Sequence, residues 1–113
     1  MKVVYVAGPF RAANDFEVDV NIRRAEEVGL EAAKLGCSVV IPHANTRNFH
    51  HHMPEPVMLD ATLELMRRCD ALILVEGWQD SQGTRDEMCE ASFLGIPVFH
   101  TLFGLKNWLE GTK

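Results

Sequence analysis

Four short apolar runs, each broken off by glycine, proline or a polar turn, constrain this chain more than any other feature. Residues 3–7 stop at Gly8-Pro9, residues 37–41 at Pro42-His43, and residues 71–75 at Glu76-Gly77, while Val98-Phe99 follow Gly95-Ile96-Pro97. Runs that are apolar on successive residues, rather than alternate ones, suit strands buried on both faces. Between them lie stretches of helical period. Residues 19–35 carry Val20, Ala25, Val28, Leu30, Ala32 and Leu35 before the stop at Gly36, and residues 58–68 carry Leu59, Leu63, Leu65 and Met66. Residues 85–94 and 102–109 predict two further helices, and residues 44–56, with two prolines and no apolar period, predict a long loop.

Strand and helix in regular alternation require right-handed crossovers. The expected architecture is one doubly wound α/β domain over residues 1–113, with a flavodoxin- or Rossmann-like parallel sheet of four to five strands covered by helices on both faces. A composition of 47% apolar and 24% charged residues supports a packed core. The net charge of -5, without like-charge blocks, argues against nucleic acid or an anionic membrane and leaves a small molecule as the partner. Cys37, Cys69 and Cys89 lack the paired spacing of a zinc site or disulfide framework and read as reduced, mostly buried thiols. The first apolar run is too short for a signal peptide or membrane span, so a cytoplasmic protein is expected. A chain this short leaves sheet edge or helix faces thinly covered, which predicts a homodimer.

Ligands of such sheets bind at the carboxyl ends of the strands, near the point where strand order reverses. That rule selects Gly8-Pro9-Phe10-Arg11, Pro42-His43-Ala44-Asn45 and residues 77–84, with Glu87 inside the following helix. Ser81, Gly83 and Thr84 stand at a helix start, where free N–H groups and the helix dipole favour an anion such as phosphate, and Arg11 can add a bidentate contact. A carboxylate at Glu87 would then face the sugar of a bound nucleotide, with Tyr5 to orient it. No cofactor is expected.

The run Tyr5-Val6-Ala7-Gly8-Pro9-Phe10, the Cys69-Asp70-Ala71 strand entry, and Ser81-Gln82-Gly83-Thr84-Arg85-Asp86-Glu87 followed by Ala91 resemble the nucleoside 2-deoxyribosyltransferase superfamily. This resemblance implies Glu87 as nucleophile, Tyr5 as its partner, and, as in the 2'-deoxynucleoside 5'-phosphate N-hydrolases, Ser81 and Gly83 on the 5'-phosphate. It also implies an Asp eight residues before Asp70, where this chain has Thr62. Asp60 is the nearest carboxylate and the candidate proton donor.

Hydrolysis of a (2'-deoxy)nucleoside or its 5'-monophosphate leads. Deoxyribosyl transfer, a non-catalytic nucleotide sensor and a cytokinin-type phosphoribohydrolase remain as alternatives, the last lacking its Pro-Gly-Gly approach. Trp78 could stack on a base or cover the sheet edge, and His43 could contact ligand or cap a loop. The triplet His50-His51-His52 is read as no metal site, because adjacent loop residues point apart and no carboxylate or cysteine accompanies them. Arg23-Arg24 and Arg67-Arg68 read as solvated helix charges, and Asp70 as the residue that fixes the turn into the third strand.

Overall fold

The structure, a computed structural model, describes residues 1–112. The chain runs β1 (Val3–Ala7), α1 (Asp15–Ala33), β2 (Ser38–Val40), the one-turn α2 (Pro42–Asn45), a 3-10 turn at Phe49–His51 and α3 (Glu55–Arg67). It continues through β3 (Ala71–Leu74), a second 3-10 turn at Trp78–Asp80, α4 (Gln82–Leu94), β4 (Val98–Phe99) and α5 (Leu102–Gly111). The four strands pair in parallel in the order β2-β1-β3-β4. This is the expected doubly wound α/β fold, with strand order reversing at β1.

The strands are short because both faces are buried. Val4 and Val6 of β1 join Ala71, Ile73 and Val75 against Ala25 and Ala32 of α1 and Leu105 and Leu109 of α5. Tyr5, Ala7, Leu72 and Leu74 point the other way, onto Met66 of α3 and Ala91 of α4. Asp70 closes the turn into β3 as expected: its carboxylate accepts from the Val3 N–H at 2.8 Å, and its own N–H donates to the Val3 carbonyl at 2.8 Å.

Helix α1 starts four residues earlier than the periodicity suggests. Asn14 caps it by accepting from the Glu17 N–H at 2.9 Å, and the buried stripe is Val18, Ile22, Ala25, Gly29 and Ala32. Leu30, counted in the expected apolar set, is instead 57% exposed. The expected loop over residues 44–56 is largely structured. Pro42 occupies the first turn of α2, while Pro54 and Pro56 flank the first residue of α3. The missing proline N–H groups cost nothing there, because the first-turn donors of a helix have no intrahelical partner. Cys37 and Cys69 are buried free thiols, and Cys89 is exposed on α4. Among the described residues no helix is long and apolar enough to cross a membrane.

Close packing at the end of β1 fixes the first loop. A Cβ at Gly8 would meet the Val75 Cβ at 2.5 Å, and a Cβ at Gly29 would meet the Ile41 Cδ1 at 2.4 Å. Val75 is held at its backbone on a buried strand end, but Ile41 can swing its terminal methyl away. Gly8→Ala is therefore expected to destabilise the protein by about 1–3 kcal/mol and Gly29→Ala by less. Urea unfolding of the two variants checks this, and the reverse order would contradict the packing argument.

Candidate functional site

The reversal of strand order opens a cleft of about 900 Å³ at the carboxyl ends of β1 and β3, within the size range of small-ligand sites. The loop after β1 supplies Gly8, Pro9, Phe10 and Arg11, α2 supplies Pro42 and His43, and the start of α4 supplies Ser81, Gly83, Thr84 and Glu87. Helix α3 forms an apolar wall with Met58, Leu59 and Leu63. None of the three is expected in the site from sequence, where Leu59 and Leu63 count only as helix-face residues, although the i, i+1, i+5 spacing along one helix side carries the signal.

At the base of the cleft, the Tyr5 hydroxyl, on the central strand, hydrogen-bonds a Glu87 carboxylate oxygen from α4. Tyr5 is fully buried, and burial together with the neighbouring Glu87 charge raises its pKa far above the ordinary value. It therefore stays a neutral donor. Burial pushes the Glu87 carboxyl up to about 7; the Tyr5 hydrogen bond acts against that rise, and the charge of Asp86 adds to it. Glu87 is thus a carboxylate whose proton comes and goes near neutrality, the condition for acid, base or nucleophilic work.

A hydroxyl donor stands six residues earlier, at the start of α4. The Ser81 Oγ caps α4 by accepting from the Thr84 N–H at 3.2 Å and from the Thr84 hydroxyl at 2.9 Å. With both lone pairs engaged, the remaining Ser81 O–H can only donate. Thr84 is 1% exposed, so this arrangement is locked by packing. The mouth of α4 therefore presents a hydroxyl donor together with first-turn N–H groups, a combination suited to an anion.

His43 is buried, and its Nε2 faces two acceptors, the Gly8 and Pro9 carbonyl oxygens, each at 3.0 Å. Nε2 must therefore carry the proton, and burial lowers the pKa so that the ring is neutral. His43 thus clamps the β1 loop. The same loop is held from the other side by Asn21, whose side-chain amide donates to the Phe10 carbonyl at 3.1 Å. Arg11 reaches across the cleft mouth to an ion pair with Glu55 at the start of α3.

Two candidates do not join this group. Asp60 is exposed and is not among the cleft residues; successive helix residues step by about 100°, so the face that brings Leu59 and Thr62 inward turns Asp60 out. Thr62 lies beside Tyr5 instead. Trp78 packs on the α3–α4 side of the core and meets His100 edge-on, with ring centroids 5.4 Å apart, and does not line the cleft. The histidine triplet also departs from expectation: Asp15, 35 residues from His50, supplies a carboxylate to both His50 and His51.

A family model described as "Domain of unknown function (DUF4406)" matches residues 2–100. No curated protein matches the sequence. Among solved structures, a 2-deoxyribosyltransferase from the psychrotolerant bacterium Bacillus psychrosaccharolyticus is similar at 19% identity and a TM-score of 0.63. The match covers 93% of this chain and 90% of that one. At that identity the likeness establishes a shared fold.

The raised Glu87 carboxyl links stability to pH. Because the folded protein holds this proton more tightly than the unfolded chain, ionisation opposes folding: the cost is absent below the ordinary value of 4.5, grows as pH rises, and is complete above about 7. Its size is about 3 kcal/mol. Glu87→Gln is expected to be more stable than the parent by that amount at pH 8, with the gap closing below pH 5. Thermal melts at the two pH values test it, and a variant no more stable at pH 8 would refute the buried-charge account.

Proposed function

The chain belongs to the DUF4406 family, and we propose that it hydrolyses the N-glycosidic bond of a nucleoside or nucleoside 5'-monophosphate, with 2'-deoxy substrates preferred. The observation that carries this reading is the pairing of a carboxyl poised at about 7 with a neutral tyrosine hydroxyl, in the cleft that the α4 mouth also lines. The shared fold with a 2-deoxyribosyltransferase supports the same class of bond.

In this mechanism the phosphate, or the 5'-hydroxyl of a nucleoside, lies at the start of α4 on the Ser81 hydroxyl and the backbone around Gly83 and Thr84. Arg11 joins once it releases Glu55. Held there, the sugar presents C1' to Glu87 a turn further along the helix. Charge building on the anomeric carbon is met by the ionised carboxylate, which forms the glycosyl ester as the base departs. Tyr5 fixes the carboxylate by donating to it, so little reorganisation is needed when the charge develops. Phe10 and the α3 wall of Met58, Leu59 and Leu63 offer apolar surface for the base. Thr62 carries no ionisable proton and Asp60 lies outside the cleft, so the leaving base takes its proton from water. A second water then attacks C1' and frees Glu87.

One observation favours a second reading, binding without turnover. The position beside Tyr5 that a general acid would use carries Thr62, so a nucleotide could be held with no acid to assist its departure.

Incubation with a panel of ribo- and deoxyribonucleoside monophosphates, followed by chromatography for free base, separates the two readings. Base release is expected, and Glu87→Gln is expected to reduce it by roughly 10³-fold or more. The rate should rise with pH as Glu87 ionises, with a midpoint near 7. Tyr5→Phe removes the contact that favours the ionised form, so it should slow the reaction and move the midpoint upward. Tight binding with no free base from any substrate would establish the sensor instead.

A further inference from the structure

At the rim of the cleft, away from Glu87, two consecutive histidines converge on one carboxylate. His50 and His51 belong to the short 3-10 turn at Phe49–His51, and Asp15 is the first residue of α1. The His50 Nε2 lies 3.5 Å from one Asp15 oxygen, and the His51 Nε2 lies 3.2 Å from the other. The two imidazoles lie 4.0 Å apart at their centroids, tilted by 40°, and Phe10 packs its ring edge-on to His50 at 5.5 Å. One ligand atom from each of the three residues falls within 4.8 Å of the others.

The two nitrogen–oxygen separations are close to the edge of a coordination tetrahedron, and the three ligand atoms lie within 4.8 Å of one another. Zinc takes imidazole nitrogen and carboxylate oxygen at about 2.0–2.2 Å, which puts neighbouring ligand atoms roughly 3.3 Å apart. Asp15 is 74% exposed and can turn to bring one oxygen to both nitrogens or offer the two together. The ligand set is two nitrogens and one oxygen, borderline in softness, which suits Zn²⁺, Ni²⁺ or Cu²⁺ and disfavours Mg²⁺ and Ca²⁺.

We propose that Asp15, His50 and His51 form a three-ligand site for a divalent transition-metal ion of the zinc type at the mouth of the cleft. The ion would tie the first turn of α1 to the segment between α2 and α3, which Arg47 already joins to α1 through ion pairs with Asp19 and Glu26. Asp15 and His50 both line the cleft, so the remaining coordination position is open to water or to an anionic group of a bound molecule. The site stands whether or not Glu87 breaks a glycosidic bond.

The test uses the untagged chain, stripped with chelator and titrated at pH 7.5 with ZnCl₂, NiCl₂ and MgCl₂ by calorimetry and thermal melting. One Zn²⁺ per chain is expected, with a rise in melting temperature of about 5 °C or more at saturating metal, and no response to Mg²⁺. Asp15→Asn and His51→Ala should each weaken Zn²⁺ binding by roughly tenfold or more, with the metal-free melting temperature little changed. His52→Ala and Cys89→Ser should bind as the parent does. The proposal is overturned if Asp15→Asn binds as tightly as the parent. It is equally overturned if His52→Ala or Cys89→Ser removes the binding, since the ion would then be held by the triplet alone or by the exposed thiol.

Discussion

A hydrogen bond between the central strand and the helix beside the cleft, Tyr5 to Glu87, joins the packing of this protein to its proposed chemistry. Tyr5 is fully buried, so its hydroxyl needs a partner, and the packing of α4 on the sheet supplies a carboxylate. That carboxylate is in turn removed from water and kept near the point of losing its proton. Neither residue is satisfied without the other, and both depend on β1 lying between β2 and β3. The strand-order reversal at β1 is what separates the loops enough to leave a cleft over this pair.

Around that pair the polar groups are arranged by local hydrogen bonds rather than by long-range charge. Thr84 occupies both lone pairs of Ser81, and two carbonyls engage one nitrogen of His43. Each arrangement removes a choice: the serine is left a donor and the histidine is left with its proton on Nε2, while burial keeps the ring neutral. A site built this way meets an incoming anion with groups that are already oriented, the condition under which dipoles act most strongly.

Much of this was legible in the residues. Short apolar runs stopped by Gly8-Pro9 and Gly77 identify buried parallel strands, and the polar stretch before Glu87 identifies a helix start at a strand end, because strand burial and capping are local effects. The contacts that sequence spacing does not carry are those made across the fold. Asp15 meets His50 and His51 only because α1 begins four residues before its apolar period, a shift set by the Asn14 cap. Asp60 is the carboxylate nearest to Thr62 in sequence, yet two positions along a helix turn a side chain by about 200°. Trp78 meets His100, a residue beyond β4 that sequence spacing does not bring beside it.

The Arg11–Glu55 ion pair spans the cleft mouth, and both partners are solvent-exposed. Exposed pairs of this kind contribute at most about 1 kcal/mol, so the bridge is easily opened. Glu55 nevertheless acts as a tethered rival for Arg11, present at the high local concentration that any intramolecular group enjoys. On the proposed reading, a doubly charged phosphate can displace Glu55 from Arg11 where an uncharged nucleoside cannot, so the mouth would act as a charge filter.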